Sequence, residues 1–86
     1  MKSIIIAFKS RNSIHSFSKL LKTNGVYSSI INTPHSISSS CGLSLKTEYK
    51  NFNVITSLIS QLRTSDLIGI YMIEKNEFGE ILRRLG

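Results

Sequence analysis

The run Ser3-Ile4-Ile5-Ile6-Ala7-Phe8 constrains this chain more than any other stretch. It is continuously apolar and rich in β-branched side chains, the pattern of a strand covered on both faces. It therefore reads as a central strand. A chain of 86 residues buries only about 60% of the surface that its unfolded form exposes, so most of its apolar residues must be core. One domain, residues 1–86, is the expectation.

The following segments fit around that strand. Asn12 or Ser13 can cap a helix whose apolar positions Ile14, Phe17, Leu20 and Leu21 follow helical spacing, and Gly25 sits where a left-handed C-terminal cap falls. A second strand runs from about Val26 to Ile31 and stops before Pro34, which cannot donate to a ladder. From Leu43 to Tyr49 the pattern alternates, with Leu43, Leu45, Thr47 and Tyr49 on one face and Ser44, Lys46 and Glu48 on the other. Asn51 or Asn53 can cap a second helix carrying Val54, Ile55, Leu58, Ile59 and Leu62 on one stripe, and a fourth strand spans Leu67 to Ile73.

The order β-α-β-β-α-β is the split unit of ferredoxin-like folds. The expected class is thus α+β, with two helices on one face of a four-stranded antiparallel sheet. Residues 2–73 form this core. In the tail, residues 74–86, Phe78, Ile81, Leu82 and Leu85 fall at helical spacing, which predicts a short amphipathic C-terminal helix. It would pack on the open sheet face or offer a surface for a partner or a second copy, as in a homodimer.

The apolar runs are far shorter than the roughly 20 residues that span a bilayer, and the start lacks the pattern of a secretory signal. A single cysteine, Cys41, fits a reducing compartment and predicts a cytoplasmic protein with a free thiol. The formal charge of +6 is carried by the stretch up to Lys50; beyond it Arg63, Lys75, Arg83 and Arg84 balance Asp66, Glu74, Glu77 and Glu80. Such a bias keeps a small domain soluble and steers anionic partners.

Topology adds to this. If the first helix returns the chain so that the second strand runs parallel to the first, the Asn32 to Gly42 connection lies at the same sheet end as the Lys9 to Asn12 turn. The Thr64-Ser65-Asp66 connection falls there too. Cys41, Lys9, Arg11 and the N-terminus of the first helix then share one end of the domain, where positive charge favours thiolate over thiol. The opposing reading is a buried cysteine packing as a small hydrophobe before the third strand, with Gly42 as a turn residue that needs positive φ.

The stretch Thr33-Pro34-His35-Ser36-Ile37-Ser38-Ser39-Ser40-Cys41-Gly42-Leu43-Ser44-Leu45 resembles the signature of a selenium/sulfur-carrier-like family of short bacterial domains: a proline, an apolar residue, small residues, then Ser-Cys-Gly and an apolar strand. The likeness extends over roughly Lys2 to Ile73. His35 stands where the family commonly has an arginine. The resemblance implies a carrier in which Cys41 accepts a terminal sulfur or selenium atom and passes it to a sulfur- or selenium-transfer enzyme. Gly42 would let the partner approach, Lys9 or Arg11 would lower the thiol pKa, and Ser40 and His35 would flank the site.

Other functions find less in the residues. One cysteine with His35 and His15 matches no usual zinc spacing. There is no nucleophile-base-orienter set, phosphate loop or carboxylate pair, so neither self-contained catalysis nor a cofactor is expected. The third strand lacks the paired aromatics with which RNA-recognition sheets stack bases. The alternative to a carrier is a regulatory module that binds a small molecule or a partner through the Pro34 to Gly42 loop, with Cys41 structural.

Overall fold

The computed structural model describes residues 2–35, 37, 42–62 and 66–85. The elements are β1 (Lys2–Phe8), α1 (Arg11–Thr23), β2 (Ser29–Asn32), β3 (Leu43–Glu48), a 3-10 turn (Tyr49–Asn51), α2 (Phe52–Gln61), β4 (Leu67–Asn76) and β5 (Gly79–Arg84). The strands form one sheet in the order β2-β3-β1-β4-β5, and every neighbouring pair is antiparallel.

β1 is paired on both edges, by β3 and β4, and packed on both faces, by one cluster that includes the helices and by a second on the opposite side, as its uninterrupted apolar run requires. Ile4, Ile6 and Phe8 point to one face and join Ile14, Phe17 and Leu21 of α1, Ile55 and Leu58 of α2, Leu45, Ile70 and Met72 in the main core. The Phe8 and Phe17 rings meet at 5.6 Å, tilted by 52°, within the centroid range of favourable aromatic pairs. Ile5 and Ala7 point to the other face and pack with Tyr71 and Ile73. Ile37, Ile31, Ile68 and Leu82 close over this second cluster. Ile37, which lies between β2 and β3, thus covers part of the sheet face that the helices leave open.

Five expectations are corrected. The helix cap is Ser10, not Asn12 or Ser13: its backbone is extended and its Oγ accepts from the Asn12 and Ser13 amides. The second strand starts at Ser29 rather than near Val26. Gly25 does take the left-handed conformation (φ 74°), and Val26 donates to Leu21 O at 2.9 Å, so Val26 still belongs to the helix terminus. Its neighbour Tyr27 is held by the Thr47 hydroxyl, which donates to Tyr27 O at 2.6 Å. Tyr49 lies in the 3-10 turn rather than in β3. The fourth strand runs on to Asn76.

The fifth correction is the largest. Instead of a C-terminal helix, the chain turns at Glu77-Phe78 and returns as β5, pairing Asn76 with Gly79 through to Tyr71 with Arg84. Asn76 Oδ1 accepts the Phe78 amide at 2.8 Å and Gly79 takes φ 131°; a hairpin needs such turn residues and a helix does not. Ile81 and Leu82 then fall on opposite faces. The sheet is five-stranded, not four-stranded. Among the described residues, no helix is long and apolar enough to cross a membrane.

Candidate functional site

The end of the sheet where β1 leaves for α1 is built by long-range contacts. Asp66, the residue before β4, accepts the Lys9 amide on its backbone oxygen at 2.9 Å. Its carboxylate Oδ2 accepts the Ser10 amide at 3.1 Å and the Ser13 hydroxyl at 2.5 Å. One acidic residue, through its backbone oxygen and its carboxylate, therefore fixes the corner Lys9-Ser10 and the first turn of α1. It also spends its charge on the helix N-terminus, where a negative group is favoured.

The β2–β3 junction forms the opposite wall. Asn32 pairs with Leu43 in the ladder, and the Thr33 amide donates to Gly42 O at 2.9 Å. Next to this bond the Thr33 and Ser44 hydroxyls meet at 2.7 Å. Both residues are buried, so a hydrogen bond is needed to offset their desolvation. The pair pins both arms of the connection at its base. Beyond it, Ile37 donates its amide to Pro34 O at 2.9 Å, closing a turn in which His35 is exposed.

Between these walls lies an open cleft of about 310 Å³ lined by Lys9, Arg11, Asn32, Gly42 and Leu43. Lys9 and Arg11 are exposed side chains, and among the described residues no acidic side chain lines the cleft with them. Such a cleft favours a group carrying negative charge.

Of the residues singled out from sequence, Lys9, Arg11 and Gly42 line this cleft together. His35 does not line it. Cys41 and Ser40 lie outside the described residues. Gly42 does not take the positive φ expected of a turn glycine, and a Cβ there would stand 3.6 Å from Thr33 Oγ1, an ordinary contact, so neither backbone nor space demands glycine. Among the described residues there is no group of three or more metal-ligating side chains.

Sequence reasoning brought Asp66 to this end of the sheet but did not see it as the brace of the Lys9 corner. It missed Asn32 and Leu43 as lining residues, and the Thr33–Ser44 pair. A carboxylate next to a strand start is common; the partners that give this one meaning are 53 and 56 positions away in the chain.

Residues 3–66 fit the family model described as "Putative Se/S carrier protein-like". The matched stretch runs from β1 to Asp66, so it contains both walls of the cleft and the brace between them. No curated protein and no solved structure matches the chain.

Proposed function

The chain belongs to the Se/S-carrier-like family, and from that premise we propose that Cys41 is the atom-carrying residue of a sulfur or selenium carrier. In the sulfur case the Cys41 thiolate attacks the terminal sulfur of a donor persulfide. A new S–S bond forms on Cys41 Sγ, the donor S–S bond breaks, and the electron pair leaves with the donor thiolate. Transfer to an acceptor enzyme repeats the exchange in the other direction.

The observation that carries this reading is the cleft. Gly42, to which Cys41 is joined by a peptide bond, shares it with Lys9 and Arg11. Cations that reach a cysteine stabilise its thiolate, which is the nucleophile, and would hold the negative charge that a perthiolate keeps after loading. The exchange needs no acid-base pair within the chain. The protein thus acts as a carrier rather than a catalyst, in the reducing compartment where a lone thiol persists, and its partners are sulfur- or selenium-transfer enzymes.

The test is loading. Incubation with a small-molecule persulfide donor, followed by mass spectrometry of the intact protein, should add one sulfur to the wild type and none to Cys41→Ser. Labelling of Cys41→Ser to the wild-type extent, or no labelling of the wild type, overturns the reading and favours a binding module in which Cys41 is structural.

A further inference from the structure

The sheet ends in two edges of unequal character. β2 is four residues long, uncharged along its length, and followed by Pro34. β5 is six residues long, contains no proline and carries Glu80, Arg83 and Arg84. Leu85 donates its amide to Ile70 O at 2.7 Å. Because backbone groups alternate along a strand, the N–H and C=O of Glu80, Leu82 and Arg84 are aimed away from β4. They form a row of outward donors and acceptors that another strand can take up.

We propose that this row pairs with the same row of a second copy, β5 against β5 and antiparallel about a two-fold axis, so that the two sheets become one. The side chains select both the partner and the register. With the axis at Leu82, each Glu80 stands opposite Arg84 of the second copy, and Leu82 faces its own counterpart. All three outward residues of each strand are then in directly hydrogen-bonded positions.

Neighbouring registers that keep the two faces aligned lack this match. Moving the axis to Ile81 sets Glu80 against Leu82, leaving the carboxylate beside an apolar group. Moving it to Arg83 places two arginines opposite each other, and like charges across a ladder destabilise it. Charged side chains on an edge ordinarily discourage pairing with arbitrary strands. Here their order along β5 is complementary to its own reverse, so they repel other strands and accept this one.

The local geometry leaves these groups available. Within one chain Glu80 makes a long contact to Lys75 at 4.0 Å, with both side chains more than half exposed. Arg84 Nη2 donates to Ile68 O at 3.3 Å, which leaves most of the guanidinium donors for a carboxylate across the axis. Ile81, on the helix-bearing face of the same strand, is 49% exposed, and Phe78 at the hairpin turn is 91% exposed. In this register Ile81 stands opposite Arg83 of the second copy, whose aliphatic stem would shelter it. The inference rests on β5 alone and is independent of Cys41.

Sedimentation equilibrium of the full chain, with Glu80→Arg, Arg84→Glu and the double exchange, tests it. All three changes are at exposed positions, and circular dichroism checks that each variant folds. The wild type should be a concentration-dependent dimer. Each single variant sets like charges opposite each other twice per dimer and should weaken it by roughly tenfold or more. Mixing the two singles should restore association as a heterodimer, since a strand bearing arginine at both positions then faces one bearing glutamate at both. The double exchange should restore the homodimer. A monomeric wild type, or single variants that associate as tightly as the wild type, overturns the proposal; so does a mixture that stays monomeric.

Discussion

Replacing Asp66 by alanine removes two hydrogen bonds to a charged acceptor, from the Ser10 amide at 3.1 Å and the Ser13 hydroxyl at 2.5 Å. Bonds to ionised groups contribute about 1.5–3 kcal/mol each when well shielded. These are only part-buried, and solvent screens them, so about 1 kcal/mol each is the appropriate magnitude. The Lys9 amide keeps its partner, because it donates to the Asp66 backbone oxygen. Asp66→Ala should therefore cost about 2 kcal/mol, which for a domain of this size lowers the melting temperature by roughly 8–16 °C.

Ser13→Ala loses one of the two bonds and should cost about 1 kcal/mol. Combined with Asp66→Ala it should add almost nothing, because the bond it would remove is already gone. The double-mutant cycle thus carries a coupling energy of about 1 kcal/mol. Urea unfolding measures it as a shift in midpoint at constant slope. Full additivity of the two variants, or an Asp66→Ala cost below about 0.5 kcal/mol, would refute the claim that this carboxylate braces the corner on which Lys9 and Arg11 stand.

Two further perturbations probe the same framework. Thr33→Val keeps the shape but deprives the buried Ser44 hydroxyl of its bond to Thr33, and should cost about 1–2 kcal/mol in urea unfolding; adding Ser44→Ala should cost less than the sum of the single changes. Gly25→Ala places a side chain at φ 74° with nothing within 4 Å of the new Cβ, so its cost is purely conformational, about 1 kcal/mol, and visible as a fall of roughly 4–8 °C in melting temperature.

Much of the fold can be read from local patterns, and the exceptions have identifiable causes. The central position of β1 follows from an apolar run that no half-exposed strand would carry, and the helix stripes follow from Ile14, Phe17 and Leu21 and from Ile55 and Leu58, all buried. Three residues near the start of α1 are able to cap it. What selects Ser10 is Asp66, a long-range partner that local pattern does not reveal.

The C-terminal segment failed for a different reason. Phe78, Ile81, Leu82 and Leu85 satisfy a helical period over too short a stretch to exclude a strand. Asn76 followed at three positions by Gly79 is a turn signal, and it is the better guide because turn chemistry fixes where the chain reverses. At the site, connectivity alone brought the β2–β3 connection to the Lys9 corner. The cleft itself depends on side chains from both walls and was not legible before the fold.

The central claim is that Cys41 carries its cargo as a poised thiolate, and the most direct measurement is the pH dependence of its alkylation, clean because the chain holds one cysteine. The account predicts an apparent pKa below the free-cysteine value of about 8.5, rising toward it in Lys9→Gln and Arg11→Gln. Slow labelling with a pKa at or above that value, indifferent to both substitutions, would contradict it.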